Sequence, residues 1–232
     1  LLLLGACSSD GYTIRGKIAG LDNPYVYLLR YTGEVEVIDS AKVTKGDFVF
    51  KGKAEQPEVV YLSTDKQQPF VHFFLENGRI SVDGALSAPA DIAVLGTPSN
   101  DIQRAFDEKI AALEEEFAKT GNDVQRDSLR KEYSKLMSDA VEMNRDNIYG
   151  VTTFLNNAYA FLSPEEVMEQ IALFPAEWQQ RTELTDLRKV MEQRLRTTVG
   201  QPYVDISAPN ADDKAVSLKS VIENPANKYV LV

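Results

Sequence analysis

At 232 residues, with 44% hydrophobic and 26% charged residues, the chain has an ordinary globular composition and enough length for two small domains. Its 35 acidic residues outnumber the 25 basic ones, giving a formal charge of −10. That balance excludes a nucleic-acid partner, because binding a phosphate backbone needs a concentrated basic surface. Beyond the first few positions there is no run of about 18 apolar residues, so nothing in the body of the chain reads as a bilayer-spanning helix.

Leu1 to Leu4 are followed by Gly5, Ala6 and Cys7, and then at once by polar Ser8, Ser9 and Asp10. The apolar stretch reads as the tail of a secretory signal whose basic part lies upstream. Leu4-Gly5-Ala6-Cys7 resembles the bacterial lipobox, in which small residues admit a signal peptidase to the bond before a cysteine that is then acylated. Residues 1–11 are thus expected to be a signal remnant and tether, with Cys7 as the lipid-attachment residue. The expected location is the cell envelope, anchored to a bacterial membrane and facing the periplasm or the cell surface. Cys7 is the only cysteine, so its acylation leaves no thiol for a disulfide or a metal.

From residue 12 to 97 the text is strand-like, with β-branched and aromatic runs broken by turn residues. Strands are predicted over Tyr12–Ile18, Tyr25–Tyr31, Val35–Ser40, Asp47–Lys53, Glu58–Ser63, Phe70–Leu75, Arg79–Val82 and Ile92–Leu95. Breaks fall at Asp22-Asn23-Pro24, Lys45-Gly46, Gln56-Pro57, Gln68-Pro69 and Glu76-Asn77-Gly78. Short strands at close spacing, with no helix between them, predict an antiparallel β-sandwich.

After Gly96-Thr97-Pro98 the period changes. Ile102, Phe106, Ile110, Leu113 and Phe117 fall on one helical face, and a second helix, capped by Asp123, carries Leu129, Tyr133, Leu136 or Met137, Ala140 and Val141. Ser163-Pro164-Glu165-Glu166 is a strong helix start, predicting a helix from Pro164 to Leu173, and another should run from Pro175 or Glu183 to Arg196. Residues 98–198 are therefore read as a helical region, with charged stretches such as Glu114-Glu115-Glu116 as solvated surface. The fold class is α+β.

Chemistry is sparse. The single His72 sits in Phe70-Val71-His72-Phe73-Phe74, on a predicted strand, where packing or a surface hydrogen bond is the plain expectation. One His and one Cys leave no triad to argue beyond this residue, no His/Cys metal cluster and no cofactor site. Carboxylates are too numerous to single out a glycosidase pair. Tyr25, Tyr27 and Tyr31 alternate along one strand, as a core or cross-strand ladder would, or as a ligand surface would. Trp178 reads as a helix-packing anchor.

In residues 199–232 the pattern changes again, through Gly200, Ala208-Pro209, an acidic turn at Asp212-Asp213, Ser217-Leu218 and the apolar run Lys228-Tyr229-Val230-Leu231-Val232. In order and spacing this resembles the opening of thioredoxin-like thiol-disulfide oxidoreductases of the TlpA/ResA-like group and their AhpC/TSA-type relatives. The resemblance implies a final buried strand leading to Trp-Cys-x-x-Cys within about a dozen residues after Val232. The chain as given holds no such pair, so no catalytic residue is assigned in it. The preceding part looks like the N-terminal region of unknown function carried by lipoproteins of this kind, through Gly46-Asp47-Phe48-Val49-Phe50-Lys51-Gly52, Phe74–Val82 and Gly96-Thr97-Pro98-Ser99-Asn100. The resemblance makes the chain the non-catalytic anchoring part of an envelope oxidoreductase, with membrane lipid at Cys7 and thiol or disulfide client proteins as partners. The rival expectation is a lipoprotein module that binds a small ligand or a partner protein.

Overall fold

The computed structural model describes residues 10–159, 162–198 and 200–230. The chain forms two compact units, one ending at residue 161 and one beginning at residue 162. Cys7 lies outside the described residues.

The first unit opens with strands β1 (Tyr12–Ala19), β2 (Tyr25–Tyr31), β3 (Val35–Lys42), β4 (Asp47–Gly52), β5 (Glu58–Ser63), β6 (Pro69–Leu75), β7 (Gly78–Ala85) and β8 (Ala93–Leu95). They build two four-stranded sheets, ordered β4-β1-β7-β8 and β3-β2-β5-β6. The sandwich is not purely antiparallel as expected: β1 and β7 run parallel, from Tyr12 opposite Gly78 to Ala19 opposite Ala85. A parallel pair needs a long crossover, and here the excursion through the other sheet supplies it. Alternation in single strands carries no information about that pairing.

Period-two burial is clearest in β1, β4 and β7. Ile14, Ile18, Phe48, Phe50, Ile80 and Val82 from one sheet meet Val26, Leu28, Val60, Leu62, Phe73 and Leu75 from the other in one continuous core. Phe48 lies over Gly16, its cross-strand partner, and a Cβ at residue 16 would stand 1.9 Å from that ring. The chain passes from β3 to β4 through Lys45-Gly46, both at positive φ, with Thr44 and Asp47 exchanging backbone hydrogen bonds of 2.9 and 3.0 Å. That is the mirror-image tight turn in which glycine is favoured.

Helices α1 (Pro98–Lys119), α2 (Asp123–Glu142) and α3 (Ile148–Thr153) complete this unit, the last running into a wider turn over Phe154–Ala158. The side chain of Asn122, rather than Asp123, caps α2 by accepting from Val124 and Gln125 N–H. The α1–α2 hairpin is buried only at its base: Phe106, Met137, Ala140 and Val141 are covered, whereas Ile110, Leu113 and Phe117 are half-buried. The aromatic rings of Phe74, Tyr149 and Phe106 join β6 to α3 and α1, with centroids 6.1 and 5.5 Å apart.

Two asparagines latch the sandwich by acting as strand partners. Asn100 Oδ1 accepts from Phe74 N–H at 2.9 Å, and its Nδ2 donates to Phe74 O at 2.8 Å and to Thr97 Oγ1 at 2.7 Å, all in the interior. Ser99 adds its backbone N–H and hydroxyl to the Glu76 carboxylate. Asn77 makes the same paired contact with the backbone of Ala54, at 2.9 and 2.8 Å.

In the second unit, helices α4 (Pro164–Ala172), α5 (Ala176–Gln179) and α6 (Thr182–Leu195) bury Val167, Ile171, Leu184 and Met191. Ser163 and Glu166 form the expected capping box. The Arg181 guanidinium lies 5.4 Å over the ring of half-buried Trp178, which supports its packing role. Strands β9 (Ser207–Pro209) and β10 (Ala215–Ser217) form a hairpin, and helix α7 (Leu218–Ile222) is capped by the Ser217 hydroxyl, which accepts from Ser220 N–H. Residues 228–230 form no strand, and the last two positions lie outside the described residues. An apolar run becomes a strand only where a neighbour receives its hydrogen bonds, and β9 and β10 pair only with each other.

Asn100→Ala is expected to cost about 2–4 kcal/mol in urea denaturation, because it orphans two buried backbone groups at roughly 1–3 kcal/mol each. Asn100→Asp should restore little, since a carboxylate cannot donate to Phe74 O. A loss well below about 1 kcal/mol for the alanine variant would show that the latch is dispensable.

Candidate functional site

Pinning α1 to the end of β6 leaves a cleft of about 370 Å³ beside the latch. One wall is Phe70–His72 of β6. A second is the short 3₁₀ turn Pro89–Asp91 with Ile92 and Val94, and the third is α1, through Asn100, Gln103, Arg104 and Asp107. Those four helical positions follow the i, i+3, i+4, i+7 spacing that places residues on one face. The cleft thus has an apolar floor and a polar helical wall.

Asp107 is exposed by surface area, yet enough protein surrounds its carboxyl that partial desolvation raises its pKa. The nearby His72, a hydrogen bond with Gln103 and the charge of Arg104 pull it the other way. Arg104 also donates from Nε to Glu108 at 3.0 Å. Burial pushes the phenol of Tyr149 up to about 12, and the charge of Asp107 adds to that shift. The cleft therefore offers a cation, a shifted carboxylate, an imidazole and an amide to a small polar ligand. Its lining holds no serine, threonine, cysteine or lysine to act as a nucleophile. Among the described residues, no three His, Cys, Asp or Glu side chains gather as a metal site.

His72, the one histidine, is thus at the rim of a cleft as well as part of an outward aromatic row. Its ring lies 6.1 Å from Tyr61, and Tyr61 packs edge-on against Tyr31 at 4.6 Å. Tyr25, Tyr27 and Tyr31 stay out of the sandwich core: Tyr25 and Tyr31 are exposed, and the Lys66 ammonium lies 4.7 Å over the half-buried Tyr27. Of the core and ladder alternatives, the ladder is the one formed. Gln103, Arg104 and Asp107 carried no motif, although their helical spacing beside the apolar stripe at Ile102, Phe106 and Ile110 was a readable signal.

Residues 12–103 match the family described as Domain of unknown function (DUF4369). The match covers the whole sandwich and the first turns of α1, ending just past the Asn100 latch, so the DUF4369 region includes the helical residues that close its own sheet. His72, Asn100 and Gln103 of the cleft fall inside it, and Arg104 and Asp107 just beyond. Residues 200–232, which carry the thioredoxin-like resemblance, lie outside the match. No curated protein and no solved structure matches the chain. No helix among the described residues is long and apolar enough to cross a membrane.

A raised carboxyl pKa means that the folded state holds the proton more tightly than the unfolded chain. This contribution to stability is present at low pH and lost as pH rises through the carboxylate range to the folded value. Asp107→Asn should therefore raise Tm at pH 7 and leave it unchanged near pH 3. A lower Tm at pH 7 would place the attraction of His72 and Arg104 above desolvation.

Proposed function

We propose that the chain is the membrane-anchored, non-catalytic front part of an envelope thiol-disulfide oxidoreductase, in which the DUF4369 region and the helices hold or present a downstream thioredoxin-like domain. The observation that carries this reading is the local structure of residues 207–222. The Ala208-Pro209 strand, the turn closed by Asn210 and Lys214, the returning strand and the Ser217-capped helix follow the order that the resemblance implies. Lipidation of Cys7 would tie the module to the membrane, the short tether leaving the sandwich close to the surface.

The redox chemistry would belong to a cysteine pair, in which a low-pKa thiolate attacks a disulfide and a resolving thiol completes the exchange. Reading the gene beyond codon 232 should reveal Trp-Cys-x-x-Cys within about fifteen residues. The full-length protein should then reduce insulin with dithiothreitol, and lose that activity when both cysteines become serine. In cells, labelled palmitate should enter the wild-type protein and not Cys7→Ser. A stop at 232, or no cysteine pair downstream, would sink the redox reading.

The cleft beside His72 favours a second reading, a lipoprotein module that binds a small polar ligand. A ligand that raises Tm with the wild type and not with a His72→Ala/Arg104→Ala variant would support it, because stabilisation follows occupancy of the folded state.

A further inference from the structure

The outer face of the β4-β1-β7-β8 sheet separates its charges along the strands. In the first row Thr13 stands between Lys51 and Arg79, and in the next Arg15 stands between Val49 and Ser81, with Leu95 beyond. In the third row Lys17 stands between Asp47 and Asp83, so its charge is balanced across both neighbouring strands. Arg15, Lys51 and Arg79 are exposed and make no ion pair among the described residues. They rim a shallow groove of about 480 Å³ that also receives the Thr13 and Ser81 side chains. Beside the groove, the Asp101 carboxylate is engaged by Gly96 N–H at 2.7 Å. Val49 and Leu95, 43% and 39% exposed, add apolar surface beside the cations.

On a chain of net charge −10, three uncompensated cations on one sheet face mark a place where a negative partner is accepted locally and repelled elsewhere. We propose that this face docks on the anionic, phosphate-bearing headgroups of the membrane to which the chain is tied. Position selects that occupant. Thr13, in the middle of the basic row, is six residues from Cys7, and six extended residues span at most about 20 Å. A lipid on Cys7 therefore holds the basic rows within reach of the surface, and the tether makes weak attraction effective. The balanced row at Asp47, Lys17 and Asp83 lies farther along β1 and serves as an internal control.

This inference rests on the lipoprotein reading for its anchor, so its test supplies the anchor chemically. The chain of residues 7–232, whose one thiol is Cys7, is coupled through it to maleimide-headgroup lipid, in vesicles of phosphatidylcholine alone or with phosphatidylglycerol. Acylation of Lys51 and Lys17 by an amine-reactive reagent is then followed by mass spectrometry. Lys51 should label at least about fivefold more slowly on the phosphatidylglycerol vesicles, the order expected for one cation at an anionic surface, and Lys17 should change little. Arg15→Gln/Arg79→Gln, at exposed positions and checked for an unchanged Tm, should remove most of that protection, as should high salt. Equal labelling of Lys51 on both vesicle types would overturn the proposal. So would equal protection by inorganic phosphate alone, which would assign the groove to a free anion. Because the coupling does not depend on cellular acylation, a failure of palmitate labelling would fall on the lipoprotein reading and leave this result standing.

Discussion

The paired hydrogen bonds between the Asn100 amide and the backbone of Phe74 fix where the helical layer begins against the sandwich. Phe74 stands near the end of β6, and its N–H and C=O find their partner in a side chain from the first turn of α1. With that turn pinned, Phe106 and Tyr149 can pack on Phe74, and Gln103, Arg104 and Asp107 come to face His72 across the cleft. A buried backbone group left unpaired costs far more than the same group in water, so the latch acts as a constraint on position.

The same economy recurs at Asn77, whose amide holds Ala54 at the end of the β4 hairpin. At the same end Arg30 spans Glu58 and Glu36, with Nη2 2.6 Å from Glu58 Oε1, and stays firmly protonated as a result. The phenol of Tyr12 is raised there, first by burial and then by Asp39 and Glu58. One end of the sandwich, where β1 and β5 begin and β6 ends, is closed by these polar groups, and the apolar core continues behind them.

Function follows from what this architecture leaves open. The inner faces of both sheets are consumed by the core, which leaves open the cleft beside α1 and the outer faces of the two sheets. The cleft carries mixed charge, and the outer face of the β4-β1-β7-β8 sheet carries two basic rows beside a charge-balanced one. Residues 207–222 form a hairpin and a capped helix, whereas the apolar run after them has no strand to join.

Local periodicity was sufficient for much of this. Runs of β-branched and aromatic residues broken by turn residues placed all eight strands of the sandwich, because those signals are local to each strand. The cap at Ser163 and the turn at Lys45-Gly46 were equally legible, since a capping box and a positive-φ turn need only neighbouring residues. Three things came from the tertiary structure. The parallel pairing of β1 with β7 joins segments some 60 residues apart that contain no mark of each other. The latch joins Asn100 to Phe74, although the motif around it read only as a helix start. The cleft and the basic rows draw His72 toward Asp107, and Arg15 toward Lys51 and Arg79, from different elements. A sequence determines which face of a strand or helix is buried because that is decided over a few residues. Which faces meet is decided by the packing of the whole, and both sites exist only once that packing is made.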